Sequence, residues 1–365
     1  MPTCRRADVL GLLGLLAVVP ACRLAAQDTS RIAEAQTVLS QLVETYGVSG
    51  AEGPVRELVK RLLPGMQTQT DTAGNLWVRV GQGDGPVVIV AHLDEIGFRV
   101  DSILSDGSLA LRNRGGFFPS LFEAQPALIH ADRGDIPGIF LPRDSGQTRR
   151  TPPPLRVSVG VTTRAGAESL GVAIGQTVTM PKQYVRLAGT RATGRSFDDR
   201  MGCAALVLAL RRLDRAKLKH PVFFVFSTRE EIGLEGAAAV AHQLGTTVRR
   251  VHAIDTFVSA DSPLELTNFG VAPLGAGAVA RALDNSSITP PAYVDSLVQL
   301  AHARGIALQI GTTNGGNDGS TFTSYGVVDV PMGWPLRYSH SPVEVVDLKD
   351  LVSLADLVRA IAEDW

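Results

Sequence analysis

Apolar positions along the chain alternate between helical and extended rhythms. From Arg31 to Tyr46, residues Ile32, Ala35, Leu39, Leu42, Val43 and Tyr46 recur at the spacing of one helix face. A second short helix is predicted to open with Pro54 in its first turn and to bury Val55, Leu58, Val59 and Leu62. Extended runs follow at Asn75–Val80 and Pro86–Ala91. The second of these, PVVIVA, is apolar at every position after its proline, which fits a strand covered on both faces of a parallel sheet. Further strands are predicted at Pro221–Phe226, Val248–Ile254 and Val327–Met332. Helical patterns lie around them at Met201–Leu213, Gly236–Leu244, Ala292–Arg304 and Leu348–Glu363. Strand alternating with helix is the signature of a doubly wound α/β domain.

Residues 101–188 break that rhythm. They carry short alternating runs and many glycines, with no helical pattern beyond a turn near Gly166–Leu170. The stretch Leu141–Arg156 (LPRDSGQTRRTPPPLR) is a polar, proline-rich loop. A small β domain inserted into the α/β domain accounts for this. The predicted organisation is then a catalytic domain over 30–100 and 189–365, with the β insert over 101–188.

The N-terminal pattern differs again. Arg5 and Arg6 precede the apolar run Val9–Ala21, and small residues follow at Leu24-Ala25-Ala26. Such a run suits a signal-peptide core and is too short for a permanent membrane span. The expectation is a signal segment over 1–26 and an exported protein, periplasmic or extracellular. Cleavage near Ala26 is preferred to lipid attachment at Cys22. Removal of that segment leaves Cys203 as the sole cysteine, so no internal disulfide is expected.

Composition then narrows the classes. The chain has 365 residues, 45% of them hydrophobic, which fits a globular fold rather than a disordered one. Its 35 Lys and Arg nearly balance 36 Asp and Glu, so it lacks the basic footprint of a nucleic-acid binder. The glycine-rich run 81–85 leads into a strand without a Walker lysine and reads as a turn. Ser196 and Ser320 lack a nucleophile elbow, and Cys203 lies within an apolar helix.

Five places put metal-compatible or acid–base side chains at element boundaries, and the carboxyl ends of parallel strands are where open α/β sheets bind ligands. They are His92 with Asp94, Asp198 at a helix start, the pair Glu230 and Glu231, Asp255 after a strand, and His340 in a loop. Each alone has a plain structural reading, as a helix cap, a turn residue or a backbone hydrogen-bond partner. Together they supply two imidazoles and three carboxylates, a normal shell for two divalent cations. The positive charge left over would acidify a water molecule, and of two adjacent glutamates Glu231 suits a ligand and Glu230 a general base. Asp94 is placed to fix the tautomer of His92.

The motifs AHLDEIGFRV, GRSFDDRMGCAAL, STREEIGLEGA, AIDTFVSADSP and PLRYSHSPVE stand in this order along the chain. In them the sequence resembles the glutamyl-aminopeptidase-like metallopeptidases, which include the tetrahedral (TET) aminopeptidases of the zinc exopeptidase superfamily. SGAEGPVREL and DTAGNL fit the same pattern. The resemblance implies an α/β fold with a mixed, largely parallel sheet between helices and an inserted small β-barrel used in dimerisation and assembly. It implies one metal held by His92, Asp198 and Asp255 and a second held by Asp198, Glu231 and His340. The metals expected are zinc or cobalt, with manganese compatible. Peptides are the expected substrates, a homo-oligomer the expected assembly, and neither nucleic acid nor a stable membrane span is expected. Three departures stand out: the apparent export segment, the loop 315–319 (GGNDG), which differs from the family's usual form, and the proline-rich loop 141–156 within the assembly domain, which sets this chain apart from a family-type dodecamer. Another amide hydrolase on the same scaffold, a carboxypeptidase or deacylase, and a non-catalytic metal-stabilised binding protein are the alternatives.

Overall fold

The computed structural model describes residues 28–143, 153–261 and 270–365. The predicted signal segment lies outside these residues, as does 144–152 of the proline-rich loop. The chain opens with helix α1 (residues 28–44), whose Ala35, Val38, Leu39, Leu42 and Val43 are buried at helical spacing. Helix α2 (Gly53–Leu62) carries proline in its first turn and buries Val55, Leu58, Val59 and Leu62. Strands β1 (Gln69–Thr70), β2 (Leu76–Val80) and β3 (Val87–His92) follow, and all six residues of β3 are buried.

The chain then leaves this sheet. Strands β4 (Gly97–Ile103), β5 (Leu109–Arg114), β6 (Pro126–Ala131), β7 (Gly134–Phe140), β8 (Arg156–Ser158) and β9 (Thr177–Thr179) close a barrel in the order β4-β5-β8-β7-β6-β9. A short helix α3 (Arg164–Ser169) interrupts it near the predicted turn. Inside the barrel, Phe98, Phe122 and Phe140 are fully buried and meet with ring centroids 5.2 to 5.9 Å apart. This apolar core is separate from that of the main sheet.

Strands β10 (Val185–Arg186) and β11 (Arg191–Gly194) return the chain to helix α4 (Phe197–Arg212), which is buried from Phe197 to Leu210. Then come β12 (Val222–Ser227), α5 (Glu235–Leu244), β13 (Arg250–Val258), β14 (Ala278–Leu283), α6 (Pro291–Ala303) and β15 (Leu308–Thr312). The last elements are β16 (Val328–Asp329), β17 (Met332–Leu336), β18 (Glu344–Asp347) and α7 (Leu348–Asp364). Asp347 caps α7 by accepting from the backbone N–H of Lys349.

The main sheet runs β1-β2-β12-β3-β13-β17-β14-β15, with β16 beside β13. Its centre is parallel: β12 with β3, β3 with β13, and β13 with β17. Antiparallel pairs lie toward the edges, β1 with β2, β2 with β12, and β14 with β17. The fold is therefore the expected mixed, largely parallel α/β sheet with a β-barrel.

Two sequence readings change. The strand predicted over Val248–Ile254 continues to Val258, so Asp255 sits inside β13 rather than just past it. Pairing explains the extension, because Ile254 to Val258 face Met332 to Leu336 of β17 in parallel register. The close approach there requires glycine: a Cβ on Gly333 would lie 1.8 Å from the Asp255 carbonyl oxygen. The strand predicted over Val327–Met332 is two strands, β16 and β17, separated by Val330 and Pro331. Proline has no N–H to give a ladder, which fits a break at that point.

Candidate active site

Four adjacent parallel strands aim their carboxyl ends at one place. β3 delivers His92, and β12 leads into the loop carrying Glu230 and Glu231. β13 contributes Asp255 from within, and β17 leads to the loop that carries His340. Asp198 reaches the same place from the first turn of α4. That turn is not helical at Asp198 (φ −73°, ψ 110°), so its side chain leaves the helix axis. Asp199 turns the other way and accepts from the backbone N–H groups of His92 at 2.9 Å and Gly202 at 3.0 Å. Of these two adjacent acids, one faces the site and the other ties α4 to the end of β3.

The Asp198 carboxylate lies between the two imidazoles. His92 Nε2 is 3.2 Å from Asp198 Oδ1, and His340 Nε2 is 3.2 Å from Asp198 Oδ2. Glu231 Oε2 is 3.3 Å from His340 Nε2, and Glu230 Oε2 is 3.8 Å from His92 Nε2. Each ring donates its Nδ1 proton to a carbonyl oxygen, His92 to Asp94 at 3.2 Å and His340 to Gly116 at 2.6 Å. A carbonyl can only accept, so both Nδ1 atoms carry hydrogen and both Nε2 atoms face the acids.

Asp94 does more than face His92. Its Oδ1 lies 3.5 Å from His92 Nδ1 and accepts from the backbone N–H of Glu230 at 3.0 Å. Its Oδ2 accepts from the N–H of Glu231 at 3.2 Å and from the Ser49 hydroxyl. A single buried carboxylate thus holds a histidine and the backbone of both glutamates.

Several residues near the site sit in the left-handed region: Ser196 (φ 70°), Arg229 (φ 54°), Tyr338 (φ 62°) and His340 (φ 57°). Such positions cost on the order of 1 kcal/mol or more each and persist only where surroundings hold them. Glu52 accepts from the N–H of Arg229 at 3.0 Å, and Glu344 accepts from the N–H of His340 at 3.1 Å.

Charge in the site is unbalanced toward acid. Burial raises the Glu230 pKa well above the carboxylate range, with Asp255, Glu231 and Asp318 adding to the rise against His92. Burial raises Glu231 as well, and it lifts Asp255 to about 6 despite Arg281. Burial works to depress His92 and His340, but neighbouring acids, Glu230 for one and Glu231 for the other, outweigh it and hold both well above the ordinary histidine value. Such a donor set gathers cations, protons and metal ions alike.

The residues fit a divalent metal. Donor atoms of His92, Asp198 and Glu231 lie within 4.8 Å of one another, and Glu231 Oε1 is buried without a hydrogen-bond partner. Mixed nitrogen and oxygen donors at this spacing suit first-row divalent cations. His340 Nε2 faces the same carboxylates, whereas Asp255 lies 3.4 Å from Arg281 Nη1. The site opens into a cavity of ≈1140 Å³ that Asp198, Glu230, Glu231, Asp255 and His340 line.

All seven residues singled out in the sequence therefore converge here. Sequence reasoning missed Ser49, Gly116, Arg281 and Glu344. Gly116 contributes a backbone carbonyl, which leaves no signal in residue type. Glu344 carries a faint one, an acid four residues past His340 in the SHSPVE motif.

A profile of the M42 glutamyl aminopeptidases matches residues 74–357. The glutamyl aminopeptidase of Lactococcus lactis is 26% identical over 88% of this chain and 93% of its own. The lysyl aminopeptidase of Pyrococcus furiosus is 27% identical, covering 90% of this chain and 96% of its own. Among solved structures, the TET1 peptidase of Pyrococcus horikoshii superposes with a TM-score of 0.82 at 31% identity, over 91% of this chain and all of that one. That peptidase assembles into a tetrahedron or a large octahedral shell. With the profile spanning most of the chain and the fold shared throughout, this protein belongs to the M42 glutamyl aminopeptidase family.

Proposed function

We propose that this metallo-aminopeptidase works with two divalent cations and with Glu230 as its general base. His92, Asp198 and Asp255 would hold one cation, and Asp198, Glu231 and His340 the other, with zinc or cobalt the best fit and manganese compatible. When bound, the cations polarise the scissile carbonyl and acidify water. Glu230 takes a proton from the attacking water and later gives it to the leaving nitrogen. Burial holds its pKa above that of an ordinary carboxyl, the direction a proton carrier needs. Asp94 keeps His92 in its tautomer and fixes the backbone of both glutamates, so base and ligand stay on their respective sides.

One observation carries this reading: the Asp198 carboxylate stands between two imidazole Nε2 atoms, 3.2 Å from each. A carboxylate that offers one oxygen to each of two imidazole nitrogens suits a ligand shared by two cations. The test is to load the protein with zinc, cobalt or manganese and compare free-amine with N-acetylated peptides. Release of the first residue from free-amine peptides, lost on chelation and restored by metal, is the expected result. Cleavage confined to N-acylated substrates, or to the carboxyl end, would replace the aminopeptidase with a deacylase or carboxypeptidase.

Assembly and location extend the proposal. TET relatives form large shells, and we infer a homo-oligomer in which the barrel contributes contacts. Light scattering that returns the mass of one chain would overturn this. No helix among the described residues is long and apolar enough to cross a membrane. The run after Arg5 and Arg6 supports export with cleavage near Ala26, checked by N-terminal sequencing of protein recovered from the periplasm or medium.

A further inference from the structure

The cavity joins the acid-rich site to an apolar wall that the mechanism leaves unused. Gly116, whose carbonyl holds His340, is followed by Phe117 and Phe118, and all three line the cavity. Phe117 is anchored edge-on against the barrel rings Phe98 and Phe122, at 5.0 and 5.1 Å. Phe118 carries no such anchor and is 77% exposed, Leu121 beside it is 45% exposed, and Val343, which lines the same cavity, is 60% exposed. Val343 lies three residues past His340, and Phe118 lies two residues past Gly116, whose carbonyl holds the His340 ring, so both apolar positions are tied to that histidine. Large apolar side chains left in water around a concave site mark a surface that a ligand covers.

The wall's charge is as informative as its shape. Among the described lining residues, Arg281 is the one cationic Lys or Arg. Its guanidinium is engaged: Nη1 with Asp255 at 3.4 Å and the Thr256 carbonyl at 3.0 Å, Nη2 with Asp284 at 3.0 Å and the Gly316 carbonyl at 2.9 Å. No free guanidinium or ammonium among them can receive a side-chain carboxylate. The lining carboxylates, Asp198, Glu230, Glu231 and Asp255, all belong to the metal and base set and leave none for the side-chain ammonium of a lysyl substrate.

We propose that the cavity takes a large apolar side chain on the first residue of the peptide, leucine, methionine or phenylalanine, and discriminates against glutamate and lysine there. This rests on the aminopeptidase reading. The site must take the residue nearest the metals, and the apolar walls flank the histidine facing them. Phe118 and Val343 are specificity-determining contacts, while Phe117 is the packed base of the wall.

The experiment uses the metal-loaded full chain with aminoacyl p-nitroanilides that differ only in the first residue, and with dipeptides that differ only in the second. Leucyl, methionyl and phenylalanyl substrates should exceed glutamyl and lysyl ones by at least about tenfold in kcat/KM, the scale on which an apolar pocket discriminates. Phe118→Ser, at an exposed position, should lower kcat/KM for these substrates about tenfold, several times its loss on the alanyl substrate. Calorimetric binding of free leucine, glutamate and lysine gives a readout independent of turnover, with leucine expected to bind tightest. A preference for glutamyl or lysyl substrates, or selectivity seen only at the second residue, overturns the inference while leaving the aminopeptidase standing. A Phe118→Ser variant that changes oligomeric mass with unchanged relative rates assigns the wall to a subunit contact and also overturns it. Failure to release any first residue removes the aminopeptidase reading and this inference with it.

Discussion

Asp94 and Glu95 are neighbours in sequence, both fully buried, and they serve two interiors of opposite charge excess. Asp94 faces the site, where acids outnumber fixed cations. Glu95 faces Lys182 at 2.6 Å, Arg195 at 2.7 Å and Arg200 at 3.4 Å, three cations around one carboxylate. It also accepts from the N–H of Gly47 at 2.7 Å and from the Ser196 hydroxyl. Consecutive residues of an extended segment point to opposite sides, which is how one short motif supplies both clusters. Lys182 follows the barrel, Arg195 and Arg200 flank the start of α4, and Gly47 follows α1, so the Glu95 cluster joins the barrel to the main domain. Its partners are all side chains and backbone of this chain. Among the described residues the acid cluster has no comparable set of cations, and its donor atoms suit a divalent metal in their place. The difference separates a buried charge that builds structure from one that recruits a cofactor.

The largest test of this contrast is Glu230→Gln. If Glu230 is the base, kcat falls by about 10²–10⁴-fold with metal content, measured by elemental analysis, unchanged. Loss of metal in parallel with activity would make Glu230 a ligand instead.

Next is Glu95→Gln, which leaves three buried cations around a neutral side chain and should cost about 3–5 kcal/mol in chemical denaturation. The pH dependence follows from the sign of its shift. Burial alone would raise Glu95, but Lys182, Arg195 and Arg200 outweigh it and hold the carboxyl far below its ordinary value of 4.5. Below that value the unfolded chain takes up a proton that the folded one refuses. The stabilisation is therefore complete above pH 4.5 and drains as pH falls toward the folded pKa. The gap in melting temperature between wild type and Glu95→Gln should narrow on acidification through that window. A gap that stays constant would show that the cluster does not act through this charge.

Metal removal should be smaller and confined to the other cluster. A chelated protein loses activity and about 2.7 kcal/mol of stability relative to one at hundredfold excess of metal over its Kd. Adding metal should leave the Glu95→Gln deficit intact, because the two effects have separate origins. Smallest is Lys182→Met. Burial, helped by Arg200 and Arg195, pushes the Lys182 pKa well below that of a free lysine against the pull of Glu95. Its removal relieves that crowding, leaves Glu95 two arginines, and takes one of two donors from the Thr45 carbonyl, which keeps Arg200 at 3.3 Å. The expected cost is about 1 kcal/mol, the net worth of one hydrogen bond. A loss as large as that of Glu95→Gln would show the lysine to be the main partner.

The two clusters also mark where sequence reading works and where it stops. His92, Asp198, Glu231 and His340 were legible because metal chemistry restricts residue types and because carboxyl ends of parallel strands gather ligands. Asp255 was found, but its place inside β13 was not, since strand length depends on pairing with β17. The Glu95 cluster left no trace. Lys182, Arg195 and Arg200 are ordinary basic residues until the fold brings them to one carboxylate. Strands β14 and β15 were missed for a related reason: β14 carries Arg281 inside a short alanine-rich run, and β15 is five residues long and only half-buried. His252 shows the opposite hazard. It is a fully buried histidine that burial and Arg250 push down to about 3, and its ring bonds to the Val330 carbonyl rather than lining the cavity.

By itself the sequence determined the alternation of strand and helix, the break in that rhythm where the barrel is built, and the identity of the metal-compatible side chains. These are local properties, set by periodicity and by the donor atoms each residue carries. Tertiary structure alone decided that Asp198 stands between two imidazoles, that a barrel carbonyl fixes the tautomer of His340, and that Phe118 and Val343 line one cavity. Each of these joins residues more than a hundred positions apart. Only the packing of one element on another sets the distance between them.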